Sequence, residues 1–324
     1  MAPVRVLSAA ALALALALAL VPSVAVADRP GGAKGPALGI ARAELAAGLT
    51  CSRGFAKSTK PPVLLTPAFS SAAVSYGWNY IPQLTAREIP FCSISVPDEG
   101  YGDLQKTAEH VVYGVRRMSR VTGRKVTLLG HQHGGLDELW ALTFWPDVAR
   151  SVSDLVTLAT PHSGTTSSTG LCAPGGHCTA ALHQITKGSR FLAALRAARL
   201  PKGVAITSIS SKNDALIVPQ PAASRRKGIH HVLLQRVCPG REVDHFAALA
   251  DNVAYRLFLD ARSHRGPASA ARLPANVCAR PYMPKADPAT LSLTGAFLSG
   301  FFARNAASDD REPRIASYAR RDAL

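Results

Sequence analysis

No Gly-x-Ser-x-Gly pentapeptide occurs in the sequence. Glycines stand four apart at Gly31/Gly35, Gly35/Gly39 and Gly130/Gly134, and the residues midway are Ala33, Ala37 and Gln132. No serine therefore occupies the centre of a glycine-flanked turn. Metal-ligand spacing is missing too: none of the six cysteines belongs to a CxxC or Cys/His pattern, and there is no HExxH, which removes the usual warrants for a zinc site. Acid is scarce, with 21 Asp and Glu against 37 Lys and Arg, a formal charge of +16. That balance favours anionic surfaces, but no nucleic-acid motif accompanies it. The basic residues are scattered apart from Ser224 to Lys227 and Arg320-Arg321, so a solvated surface of high pI is the simpler reading. No internal repeat is visible, and after residue 27 no segment is apolar enough to span a bilayer.

What is present begins with Arg5 and a run from Val6 to Ala27 built almost entirely of Ala, Leu and Val, which ends in the small-x-small triplet Ala25-Val26-Ala27. Residues 1–27 read as a secretory signal peptide, with Pro22 and the small-residue end arguing against an uncleaved anchor. An even set of cysteines in an exported chain implies disulfides. They are Cys51, Cys92, Cys172, Cys178, Cys238 and Cys278. Many pairings are open; Cys172 and Cys178 bracket a Pro-Gly-Gly turn, so their mutual pairing is the simplest expectation.

At 324 residues the chain is long enough for one large α/β domain. Residues 28–49 read as a loosely held leader ending in a helical stretch, Ile40 to Leu49. Residues 50–262 read as the α/β domain, and 263–324 as a Pro-, Ala- and Arg-rich extension wrapping it. Strands are expected at Pro62 to Thr66, Phe91 to Val96, Val126 onward, Val152 to Ala159, Val204 to Ile209 and His230 to Val237. Helices are expected at Trp78 to Ala86, Asp103 to Thr122, from the turn at Gly134 to about Trp145, around Leu192 to Arg199, at Phe246 to Leu259 and at Leu291 to Ala303. The alternation implies a parallel sheet with helices on both faces.

The stretch Val126 to Leu142 runs strand, glycine-flanked turn, helix, which is the shape of a nucleophile elbow. Its central residue is Gln132, which carries no hydroxyl. Behind it, in the order a hydrolase triad takes, come Asp214 after one strand and His245 after another. A carboxylate at Asp214 orients an imidazole at His245, which is then a general base; the plainer alternatives are an Asx turn and a helix-start histidine. Asp137 and Glu138, in the first turn after the elbow, are explained by the positive end of the helix dipole. His131 and His133 flank Gln132 with side chains expected to point elsewhere. With His230, His231 and His245 they show no ligand spacing, so no metal and no cofactor is expected. Ser163 reads as a turn residue, His162 and His183 as loop and helix-surface residues.

Several stretches combine into a family likeness: Leu49-Thr50-Cys51, Pro62 to Pro67, Gly77 to Pro82, Pro90-Phe91-Cys92, Gly134-Gly135-Leu136, Trp140 to Pro146, Asn213-Asp214 with Ile217-Val218-Pro219, Cys238 with Asp244-His245, and Tyr318-Ala319-Arg320. On these the chain resembles the Candida antarctica lipase B family of secreted ester hydrolases. The resemblance implies a disulfide-stabilised α/β-hydrolase fold, acylglycerol ester chemistry, a triad acid at Asp214, a base at His245, and disulfides Cys51–Cys92 and Cys238–Cys278. It leaves Cys172 to pair with Cys178. It also marks two departures. Gln132 replaces the serine, and Pro67-Ala68-Phe69 stands where the family reads Pro-Gly-Thr, the loop that supplies oxyanion-hole donors together with the N–H of His133. The expectation is a secreted, monomeric, lipase-like protein that hydrolyses esters weakly or not at all. It binds a lipid or small ester, with an anionic cell-envelope surface as a further partner and no nucleic acid. A working esterase of unusual mechanism and a basic envelope protein are the alternatives.

Overall fold

Seven short apolar runs pair into one sheet: β1 (Leu49–Cys51), β2 (Val63–Thr66), β3 (Phe91–Ile94), β4 (Val126–His131), β5 (Val152–Leu158), β6 (Ala205–Ser210) and β7 (His230–Leu233). This computed structural model describes residues 34–173, 176–308 and 310–320; the expected signal peptide at 1–27 lies outside them. The strand order is β1-β3-β2-β4-β5-β6-β7. All neighbours are parallel except β1 with β3. Alternate side chains of a strand face opposite ways, and the sheet uses both faces. Leu64, Leu128 and Leu155 join the core under the long helix Leu104–Thr122 and the elbow helix Gly134–Phe144. Val63, Leu65, Leu129 and Val156 join Tyr80, Tyr255 and Phe258 on the other face. The α/β-hydrolase fold expected from the motifs is what the chain adopts.

Strand β4 is the middle of the seven. The chain leaves β2 toward β3 on one side and β4 toward β5 on the other, so the loops after β2 and β4 diverge and open a crevice at their carboxyl ends, the position at which parallel sheets bind ligands. Helix ends are fixed by local chemistry. Asp103 caps Leu104–Thr122 through its contact with the Gln105 N–H, and Gly123 ends it at φ 64°.

Some elements differ from the sequence expectations. Strand β1 is only three residues long and carries too little periodicity to be seen. The stretch expected as a helix from Trp78 is preceded by a separate helix, Ala72–Tyr76, and begins at Tyr80. Strand β7 stops at Leu233, after which Leu234–Val237 coils into a helical turn. The helix expected from Phe246 is split: a short 3-10 turn at Ala247–Leu249 is followed by Asn252–Ser263, whose start is set by the Asp251 side chain accepting from the Ala254 N–H at 2.8 Å. Residues 34–48 are held down rather than loose. Asp147 accepts from the Gly35 N–H, Glu109 from the Ile40 N–H, and Trp145 donates to Pro36 O.

Three disulfides join Cys51 to Cys92, Cys172 to Cys178 and Cys238 to Cys278. The chain after 290 returns across the molecule. The helix Thr294–Ala306 lies over the crevice, Asn305 accepts from Thr179, Arg190 pairs with Glu312, and Trp140 Nε1 donates to Tyr318 OH at 3.1 Å. Among the described residues no helix is long and apolar enough to cross a membrane.

Candidate active site

Gln132 sits where β4 turns into the elbow helix, with φ 51°. A side chain of this size adopts that left-handed backbone only where the surroundings impose it. Two glycines show what imposes it. A Cβ on Gly134 would lie 2.2 Å from Thr66 O, and one on Gly130 would lie 2.4 Å from the Gly135 nitrogen, so the turn is packed against β2 and against itself too tightly for any side chain. The backbone is pinned further by Gln132 N–H to Leu158 O at 2.8 Å and by Thr160 Oγ1 donating to Gln132 O at 2.7 Å. The elbow shape persists although its centre carries an amide.

Among the described residues that amide makes no hydrogen bond to His245. Its oxygen turns back and accepts from the His133 N–H at 3.0 Å. His133 N–H is the donor that the family resemblance assigns to the oxyanion hole, and here the residue before it already occupies it.

Asp214 and His245, 31 residues apart, come together at the carboxyl end of the sheet. Asp214 Oδ2 accepts from His245 Nδ1 at 2.9 Å, and both residues are buried. The other carboxylate oxygen accepts from the Leu216 and Ile217 N–H groups at 2.9 and 2.8 Å. The Asx turn and the histidine contact thus coexist on one side chain, and the turn fixes the direction in which the second oxygen points. Because a carboxylate only accepts, Nδ1 carries the hydrogen and Nε2 of the neutral ring is left with its lone pair.

The two flanking histidines take different roles. His131 packs its ring 4.8 Å from that of His245 and contacts His245 O at 3.3 Å. Burial, then the neighbouring His245, hold it well below the usual imidazole range, so it stays neutral there. It lines the cavity, a closeness that sequence reading missed because a strand-end residue was expected to point away. His133 does turn away. Its Nδ1 meets Asp137 Oδ2 at 3.1 Å, and its ring lies 4.6 Å from that of Phe69. Phe69 is buried and also contacts Tyr101 and Phe301, so the ring standing at the family's oxyanion position is built into an aromatic cluster under the C-terminal helix.

Asp137 and Glu138, read from the sequence as partners of the helix dipole, are both fully buried under the elbow. Thr66 Oγ1 donates to Glu138 at 2.8 Å. Burial raises the Asp137 carboxyl from 3.8 to about 6, with His133 pulling the other way. Its folded value is above its unfolded one, so its contribution to stability is complete below pH 3.8 and is lost as pH rises through about 6. The difference is on the order of 3 kcal/mol. Asp137→Asn is expected to flatten that part of the curve. Urea midpoints for both proteins from pH 4 to 7 should show wild type losing stability relative to the variant across the window, and a pH-independent difference would refute the assignment. His162, expected on a loop, is also buried, with Nε2 at 3.0 Å from Thr157 Oγ1, and desolvation takes it down to about 3. Ser163 Oγ donates to Arg225 O, as a turn residue does.

Above Gln132 and His245 lies a cavity of about 180 Å³ whose walls are overwhelmingly apolar. Trp78, Ile217 and Phe246 contribute from the domain, and Phe297, Leu298 and Phe301 from the helix Thr294–Ala306. That helix was expected from its apolar run, but not its position; no local pattern records which surface an apolar helix will cover. Cys172, Cys178 and His183 bring possible metal-ligand atoms together, yet the two sulfurs are bonded to each other.

No family model matches the sequence. Lipase B of Pseudozyma (Candida) antarctica is 30% identical over 229 residues, which span 68% of this chain and 67% of that protein. Among solved structures, lipase B of Aspergillus fumigatus superposes with a TM-score of 0.79 at 26% identity, covering 89% of this chain and 74% of its own. A Bacillus licheniformis lipase in its mature form, at 16% identity and a TM-score of 0.51 over 64% of this chain and 93% of its own, shares the fold alone.

Proposed function

Because the chain belongs to the lipase B family of α/β-hydrolases, we propose that it is a secreted lipid-binding derivative of an ester hydrolase. It holds an acyl ligand in the cavity over Gln132 and hydrolyses esters weakly or not at all. One observation carries this reading: the Gln132 side chain stands at the elbow and its oxygen occupies the His133 N–H. A carboxamide is no nucleophile, and a donor already bonded to it is not free for a tetrahedral intermediate. Substitution therefore removes the attacking group and weakens the stabilisation of what it would have formed. The apolar walls are intact and suit an acyl chain. Three disulfides fit an oxidising compartment, and the charge of +16 favours residence near anionic envelope surfaces.

A second reading, hydrolysis by a water activated at His245, is favoured by the intact His245–Asp214 contact. Initial rates with p-nitrophenyl butyrate separate the two. Wild type and His245→Ala are expected to match each other and buffer, while methyl decanoate displaces a fluorescent apolar reporter from wild type. Turnover by wild type that His245→Ala abolishes would establish the second reading instead.

A further inference from the structure

We propose that the cavity selects a medium- or long-chain carboxylic acid over its ester, gripping the carboxyl group between the Gln132 amide nitrogen and His245 Nε2. The inference rests on the lipid-binding reading and goes beyond it by naming the head group.

The polar floor of the cavity is small and its hydrogen-bonding sense is set. Gln132 Oε1 is engaged by the His133 N–H, which leaves the NH2 end free. Among the described residues that nitrogen has no protein acceptor, yet it is not among the atoms sealed away without a partner. Since Gln132 lines the cavity, its NH2 opens there as a donor. The same reasoning applies to His245. Nδ1 is held by Asp214 Oδ2, and Nε2 has no protein partner and is not sealed off, so it opens into the cavity as an acceptor. One donor and one acceptor thus line the same mostly apolar cavity.

A carboxyl group matches that pair. Its carbonyl oxygen accepts from the Gln132 amide, and its hydroxyl donates to Nε2. If the proton crosses to the ring, a carboxylate and an imidazolium keep the same two contacts, with Asp214 behind the ring to stabilise the cation. An ester offers a carbonyl but no O–H, so it leaves Nε2 without a donor in an apolar pocket, an unfavourable outcome for a desolvated polar atom. An alcohol must serve both nitrogens through a single oxygen. Among the described residues no Lys or Arg lines the cavity, which speaks against a phosphate head group. The other titratable side chains around His245 are His131, whose ring lies 4.8 Å away and is neutral, and Asp244, whose Oδ1 is committed to the Phe246 and Ala247 N–H groups. Neither supplies a competing cation. At residue 132 the site departs from a hydrolase by putting a donor where an attacking oxygen would stand.

Competitive displacement of a fluorescent apolar reporter from the full-length protein tests this, with decanoic acid, 1-decanol and methyl decanoate as probes. The acid is expected to bind at least about tenfold more tightly than the methyl ester, with the alcohol between them. His245→Ala should shrink the acid's advantage to within about twofold, because it removes the acceptor that only the acid can satisfy, whereas Gln132→Leu should weaken acid and ester alike, because both carbonyls use that donor; circular dichroism of each variant reports whether it is folded. Equal binding of acid and ester by wild type would overturn the inference and leave the lipid-binding reading standing. Displacement by none of the three would overturn both. Acid preference that survives in His245→Ala would place the carboxyl group elsewhere and refute the proposed grip.

Discussion

Replacing Gln132 with serine is expected to convert the protein into a measurable esterase, raising kcat/KM for p-nitrophenyl butyrate by about 10³ over wild type. The estimate follows from two opposed magnitudes. Losing the nucleophile of a serine hydrolase costs on the order of 10⁶ in rate, so restoring it sets the ceiling. The hole will be incomplete, because Phe69 stands where the resemblance places a threonine, and losing one oxyanion donor costs about 10² to 10³. The remaining requirements are in place. The elbow backbone already holds residue 132 at φ 51°, His245 is bonded to Asp214 at 2.9 Å, and its Nε2 has the lone pair needed to take a hydroxyl proton. Removing the glutamine also removes Oε1 from the His133 N–H, so the single change both adds a nucleophile and frees a donor. Gln132→Ser with His245→Ala should return the rate to that of wild type. A single variant that stays at background would locate the deeper defect in the Phe69 loop, and Phe69→Thr added to Gln132→Ser should then restore turnover.

The largest stability loss is expected at Trp140→Ala, about 3 to 5 kcal/mol as for truncation of other large buried aromatics. Trp140 is fully buried on the elbow helix, stacked on Phe191 with ring centroids 4.4 Å apart and planes 13° from parallel, and tilted against Phe144 at 4.5 Å. Its indole N–H donates to Tyr318 OH, tying the elbow helix to the end of the described chain. The substitution opens a cavity and cuts that tie. Against a typical total of about 5 to 15 kcal/mol, the loss is large enough to show as a clear drop in urea midpoint. Trp140→Phe keeps a ring against Phe191 but has no N–H for Tyr318, and should cost less than the alanine. If the two variants were equally destabilised, the stacking would not be the source of the effect. Limited proteolysis after Arg314 should accelerate in both, because both lose the hydrogen bond to Tyr318.

Much of this was legible in the chain. The runs Val63 to Thr66, Val126 to His131 and Val152 to Leu158 are mostly apolar, and they are buried almost throughout, as central parallel strands are. The helical spacing through Leu104 to Met118 survives as one buried face. Order along the chain brought Asp214 and His245 forward as a pair, and the structure places them in contact. Strand β1 escaped because three residues hold no period, and the stretch from Phe246 was misread because the capping carboxylate at Asp251, not hydrophobic spacing, sets where its helix begins.

The fold family, the elbow and the missing hydroxyl can be read from the chain alone, because these depend on residue type and local spacing: strand periodicity, glycines at a tight turn, and a side chain that lacks an attacking oxygen. What the substituted side chain does, and what lies above it, follows from the folded arrangement. The direction of the Gln132 amide depends on a bond made within a turn strained by its packing against β2. The burial of Asp137 and Glu138 and the covering of the cavity by Phe297 and Phe301 depend on segments far apart in the chain. Those are relations between surfaces, set by how apolar faces meet when the chain closes on itself, and no single stretch of sequence encodes them.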